Sequence, residues 1–220
     1  MINEIVTLSS PKSPIAEAIK TIRTNLQFTD TNNELKTILL TSSISGEGKS
    51  VVSANLAVAY AKANKKTLLI DADMRRGRQH EVFKVSTSKG YSNLLIDDPK
   101  NYGGYIQKTN IENLSIISRG VVPPNPSELL QSQKNKDLID LLKGKYDIII
   151  FDGIPVIGLT DSVILSSMVD KTLIVCAALE TQMEMLLETQ KTLEAVNCDI
   201  AGVIVNKVRD KNMYNNKYYY

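Results

Sequence analysis

The chain has 220 residues, 43% hydrophobic and 23% charged, with a net charge of +2. That length is enough for one large core, and a near-neutral balance without a long Lys/Arg run excludes a nucleic-acid stripe. No segment reaches the ~20 apolar residues of a membrane span, the N-terminus has no signal-peptide core, and Cys176 and Cys198 lack metal-ligand spacing, so a reduced cytoplasmic protein is expected.

Residues 1–12 read as an irregular lead-in. Ser13-Pro14 then starts a helix, with Ser as cap and Pro in the first turn. Ile15, Ile19, Ile22 and Leu26 recur at helical spacing and define its apolar face. Glu17, Lys20 and Arg23 follow every three residues on another side, as either a solvated face stitched by local ion pairs or a subunit contact.

From Thr37 to Ala61 comes the stretch around which the chain is organised. It reads as a strand (Ile38, Leu39, Leu40), a Ser/Gly-rich loop from Ser42 to Gly48, and a helix opening at Lys49. Gly46 and Gly48 permit backbone angles that turn N–H groups inward, and the helix N-terminus adds its positive dipole end, which makes a cradle for phosphates. Lys49 supplies charge for the outer phosphates and the Ser50 hydroxyl suits Mg²⁺. The strict P-loop pattern has Gly where Ser43 stands. The bland alternative is a Gly-rich turn with an exposed lysine.

A second strand, Thr67–Ile70, runs into Asp71-Ala72-Asp73-Met74-Arg75. If extension persists, Asp71, Asp73 and Arg75 share a face at the strand's carboxyl end, where α/β sheets bind ligands. Residues 84–113 are polar and predict surface helices and loops. Leu114–Ile117 predicts a third strand. Residues 121–126, rich in proline, cannot be helical, and Ser127 is placed to cap a helix beginning Glu128-Leu129-Leu130. Asp147–Asp152 is the best buried strand, apolar on both faces and ending in an acid, either a turn former or a Mg²⁺ ligand partnering Ser50. Thr172–Ala177 and Ile200–Val205 predict two more strands, with a helix over 181–196 between them. The alternation argues an α/β fold: a doubly wound, mostly parallel central sheet flanked by helices on both faces. Periodicity stops at Val208, and Tyr214, Tyr218, Tyr219 and Tyr220 crowd the last seven residues, which reads as a mobile tail, 208–220, after a single domain, 1–207.

The ordered set of Gly46-Glu47-Gly48-Lys49-Ser50, the run 68–75, Ile148–Asp152 followed by Pro155, the segment 123–130 and the tyrosine cluster resembles the bacterial tyrosine kinases of capsular and exopolysaccharide systems, which are P-loop proteins. The resemblance covers essentially the whole chain. It implies an ATP-dependent protein-tyrosine kinase whose ATP site comprises Ser45, Gly46, Glu47, Gly48, Lys49, Ser50 and Val51, with Asn206 reading adenine. It implies Mg²⁺ held by Ser50, Asp71 and Asp152. Lys49, Asp71 and Asp73 would be catalytic, Asp73 meeting the tyrosine hydroxyl. Glu17, Lys20 and Arg23 match the family's E-x-x-R-x-x-R ring-assembly motif, with Lys20 where Arg is usual; lysine cannot make a bidentate fork. Gly77, where Pro is usual, and Gly153-Ile154 before Pro155 are further departures.

The resemblance further implies phosphorylation in trans within a ring, with Tyr214, Tyr218, Tyr219 and Tyr220 as acceptors. The chain looks like the split form of the family: recruited to the inner face of the membrane by a separate adaptor with a cytoplasmic activating segment, and reset by a cognate phosphotyrosine phosphatase. The nearest rival is a P-loop ATPase of the partition and division-site class acting by ATP-switched dimerisation. Those proteins carry a second lysine early in the loop, where this chain has Ile44, and lack the tyrosine tail. A non-catalytic adaptor that binds nucleotide only to assemble is the other alternative.

Overall fold

The computed structural model describes residues 5–29 and 34–208. Seven strands form one sheet: β1 (Thr37–Ser42), β2 (Thr67–Asp71), β3 (Gln107–Lys108), β4 (Leu114–Ile117), β5 (Ile148–Pro155), β6 (Lys171–Ala177) and β7 (Ile200–Asn206). Their spatial order is β3-β4-β2-β5-β1-β6-β7, parallel throughout except for β3, which pairs antiparallel with β4. The helices are α1 (Val6–Ser9), α2 (Pro14–Thr29), α3 (Lys49–Lys62), α4 (Gln79–Phe83), α5 (Tyr91–Ile96), α6 (Pro126–Gln131), α7 (Gln133–Lys143), α8 (Asp161–Ser166) and α9 (Met183–Glu194).

Strand alternation sorts the core into two layers. On one face Ile38, Leu40, Leu69, Ile116, Ile148 and Ile150 meet α3 and, through Ile19 and Leu26, α2. On the other, Leu39, Leu68, Ile70, Ile149 and Phe151 meet Leu94 of α5 and Leu138, Ile139 and Leu142 of α7. Each such side chain contributes roughly 1.5–3 kcal/mol when fully buried, and apolarity on both faces is what a central parallel strand requires. The doubly wound expectation stands.

The details depart from the sequence reading in four places, the first being the helix Val6–Ser9 within the lead-in read as irregular. The stretch 84–113 is no mere surface: Tyr91, Leu94 and Leu95 of α5 are buried, and a six-residue helix is too short to show a helical period. Helix α6 begins at Pro126 with Asn125 before it, so Ser127 lies inside the first turn. On α2 the inward stripe is Ala16, Ile19 and Leu26, and Ile15 is 51% exposed. Ser13 does cap α2, its hydroxyl accepting from the Ala16 N–H at 3.2 Å.

Candidate active site

The strand ends gather the polar residues at the carboxyl edge of the sheet. Between β1 and α3 the backbone turns through Gly46 at φ 90° and Gly48 at φ 91°, left-handed angles that glycine adopts without steric cost. Gly48 is also a close approach, since a Cβ there would stand 2.1 Å from Asn206 Nδ2. Ser43, in place of the pattern's glycine, is buried and accepts a hydrogen bond from the Thr189 hydroxyl at 2.9 Å, so its side chain points into α9. Glu47 is buried too: its carboxylate accepts from the Ile44 N–H at 2.9 Å and from the Thr181 hydroxyl. Asn206 Nδ2 donates to the Glu47 carbonyl at 2.9 Å, so the end of β7 braces the loop from outside.

A cavity of about 610 Å³ opens over this loop. Ser45, Gly46, Gly48, Lys49, Ser50 and Val51 line it together with Asp73 and Arg75. Glu47, Asp71, Asp152 and Asn206 are not in its lining. The volume falls within the ~300–1,000 Å³ of small-molecule sites.

Asp71 and Asp152 are register partners on neighbouring strands, both with no exposed surface. Asp71 Oδ2 accepts from the Gln79 backbone N–H at 3.0 Å, whereas Oδ1 is buried with no donor on it. Gly77 leaves that oxygen room, for a Cβ there would lie 2.2 Å from it. Asp152 Oδ1 accepts from the Ser53 hydroxyl at 3.2 Å and Oδ2 from Gln79 Nε2 at 2.8 Å. Burial holds the Asp71 carboxyl well above the usual carboxylate range, and the facing Asp152 charge pushes the same way. Burial also raises Asp152, opposed by the nearby Lys49 charge and by donors from Gln79, Ser50 and Ser53.

Two buried carboxylates, one hydroxyl and two buried acceptors without donors, Asp71 Oδ1 and Gln79 Oε1, fit a hard cation with a water shell. Among the described residues no three His, Cys, Asp or Glu side chains converge into a closed metal cage. Mg²⁺ keeps several waters and takes only one or two carboxylates.

The chain does not stay extended past Asp71. Asp73 Oδ1 accepts from the backbone N–H groups of Arg75 (3.2 Å) and Arg76 (2.8 Å), and the Gly77 N–H bonds the Asp73 carbonyl, closing a turn. The expected shared face of Asp71, Asp73 and Arg75 is therefore replaced by a split, with Asp71 inside the protein and Asp73 on the cavity wall, 9% exposed. Arg75 reaches sideways to Asp161, Nε to Oδ2 at 3.1 Å and Nη2 to Oδ1 at 3.3 Å. Asp161 is 2% exposed and also accepts the Ser127 hydroxyl at 2.6 Å. Helices α6 and α8, through Ser127 and Asp161, thus fix an arginine in the wall of the cavity. Gln79 and Asp161 formed no part of the sequence expectations, because neither sits in a phosphate-loop or strand-end pattern.

On α2, Lys20 Nζ lies 2.7 Å from Glu17, both side chains well exposed. Arg23 instead turns inward and donates through Nη1 to the Ala59 carbonyl at 2.8 Å. His80 lies in the short helix α4, half-buried. Tyr214, Tyr218, Tyr219 and Tyr220 lie outside the described residues.

Comparison with known proteins gives a consistent result. Residues 35–202 match the family model described as an AAA domain. The chain is 37% identical over 220 residues to the putative tyrosine-protein kinase CapB of Staphylococcus aureus, covering all of this chain and 95% of that protein. It is 34% identical over 206 residues to the tyrosine-protein kinase YwqD of Bacillus subtilis, covering 94% of this chain and 86% of that one. The solved structure of the chimerical protein CapA2B2 superposes with a TM-score of 0.89 at 34% identity, covering 94% of this chain and 91% of that chain.

Proposed function

Because this chain belongs to the bacterial tyrosine-protein kinase family, we propose that its cavity carries out transfer of the γ-phosphoryl group from ATP to a tyrosine hydroxyl. The observation that carries this reading is that Lys49, Ser50 and Asp73 line one opening, with the Asp71–Asp152 pair buried outside its lining at the ends of β2 and β5 and the Lys49 charge acting on Asp152. Phosphoryl transfer asks the protein for positioning and charge neutralisation rather than covalent help.

The loop N–H groups and Lys49 would hold the β- and γ-phosphates, with the Gly46–Gly48 backbone following the chain of oxygens. Ser50, Asp71 and Asp152 would hold Mg²⁺, which when bound neutralises charge on the phosphate oxygens. Asp73, in the lining of the same cavity, meets the tyrosine. Its carboxylate is aimed by two backbone N–H groups, so the free oxygen has a set direction. The phenolic oxygen attacks the γ-phosphorus, the bond to the β–γ bridging oxygen breaks, and ADP leaves. The phenolic proton passes to Asp73 late in the step, since a phenol holds its proton far more tightly (~10) than a carboxyl does (~4). Arg75, fixed by Asp161 and Ser127, keeps a guanidinium beside this path.

The acceptors in this reading are Tyr214, Tyr218, Tyr219 and Tyr220, presented to a neighbouring subunit in a ring assembled through α2. Each phosphotyrosine adds about −1.5 to −2 charges, which repels the acidic site and releases the tail. Among the described residues no helix is long and apolar enough to cross a membrane. Membrane recruitment then falls to an adaptor with a cytoplasmic activating segment, the reset to a phosphotyrosine phosphatase, and the output is control of capsular or extracellular polysaccharide synthesis and export. Asn206 would read adenine with the carbonyl of an amide whose nitrogen is already held by the loop.

The test is Asp73→Ala. Autophosphorylation in Mg²⁺-ATP, read by mass spectrometry of tyrosine-containing peptides, should vanish while ATP binding by calorimetry persists. Loss of both together would show that Asp73 supports the fold of the site instead of the reaction.

A further inference from the structure

Gln79 is fully buried at the first position of α4, and it touches every element that carries a proposed Mg²⁺ ligand. Its backbone N–H donates to Asp71 Oδ2 at 3.0 Å, at the end of β2. Its side-chain Nε2 donates both to Asp152 Oδ2 at 2.8 Å, on β5, and to the Ser50 carbonyl at 2.9 Å, in the first turn of α3. Its Oε1 is buried without a donor. No other described residue is hydrogen-bonded to both acids.

The chemistry of the side chain matters as much as its place. An amide donates to carboxylates without adding charge, so it can fix their directions and leave their attraction for a cation intact. A lysine in the same spot would neutralise the pair and compete with the metal, and a third acid would repel it. The unpartnered Oε1 supplies an acceptor that a cation's water can satisfy.

We infer that Gln79 is the positioning residue of the divalent-cation site, spacing Asp71, Asp152 and the Ser50 turn so that cation and nucleotide bind as one unit. This rests on the Mg²⁺ reading of Ser50, Asp71 and Asp152. Residues that orient metal ligands through hydrogen bonds lose ~10–100-fold in metal affinity when replaced.

The experiment is a titration of the full chain with a fluorescent ADP analogue, in EDTA and in Mg²⁺, for the native protein, Gln79→Met and Gln79→Asn. Methionine keeps length and volume and removes both polar atoms. The expected result is that Gln79→Met lowers the Mg²⁺ enhancement of ADP affinity by at least about 10-fold while affinity in EDTA stays within about twofold. An unchanged Mg²⁺ enhancement overturns the inference, as does an equal loss in EDTA and in Mg²⁺, which would make Gln79 a brace of the phosphate loop. A native chain showing no Mg²⁺ enhancement would remove the metal-site reading itself, a distinguishable failure. Should Gln79→Met not fold, Gln79→Asn serves in its place: its amide is one methylene short of spanning Asp152 and Ser50 together, and the same loss is expected.

Discussion

Asp71 and Asp152 face each other across paired strands with no exposed surface, an arrangement that costs the metal-free protein stability. Burial raises the folded-state pKa of Asp71 above the 3.8 of an ordinary aspartate, so the folded chain holds a proton that the unfolded chain releases. The stabilisation is fully present below about pH 4 and is lost as pH rises through the raised folded-state value. Asp71→Asn should therefore raise the melting temperature in EDTA at pH 7.5 and leave it nearly unchanged at pH 4. For a chain of this size each kcal/mol is worth roughly 2–4 °C. Equal shifts at both pH values would refute the electrostatic account. These acids were legible in the sequence because each ends an apolar run, and so was Lys49 after its glycines. Gln79 and Asp161 were not: each acts through partners distant in the chain, Asp152 and Arg75 respectively, and their local sequence carries no sign of it.

Helix α2 shows how a stripe can be misjudged by one position. Reading Ile15 as inward shifts the face, whereas Ala16, Ile19 and Leu26 put Arg23 toward the core. There its guanidinium meets Ala59 in the last turn of α3, where carbonyls lack intrahelical donors and a cation suits the helix dipole. One of the three residues matching the assembly motif thus finishes the phosphate-loop helix of its own chain. Arg23→Ala should cost about 1–3 kcal/mol in urea unfolding, as expected for a lost hydrogen bond from a charged group. Glu17→Ala, breaking an exposed pair, should cost less than ~1 kcal/mol. Assembly is then better probed at Glu17 and Lys20, with sedimentation velocity as the readout. The long central strands were readable from continuous burial, but α5 and the β3 edge were not, since six and two residues are too few to display a period.

For the whole molecule, the alternation of strands and helices predicted a doubly wound sheet, and the described residues form one. The strand order and the antiparallel edge depend on crossovers that local sequence does not encode. The proposed transfer between subunits belongs to this scale alone. Lys49→Met protein, unable to hold ATP phosphates, should gain phosphotyrosine when mixed with an active protein lacking residues 209–220. No incorporation in the mixture would point to reaction within one chain.

The bond from Asn206 to Glu47 sets the starting point of that geometry. Only Lys207 and Val208 separate this anchor from the end of the described residues, so Asn206 ties that end of the chain to the phosphate loop. Tyr214, six residues beyond Val208, can travel at most roughly 20 Å, and Tyr220 about twice as far. A peptide of that length leaves the choice between a chain's own opening and a neighbour's to the mixing experiment.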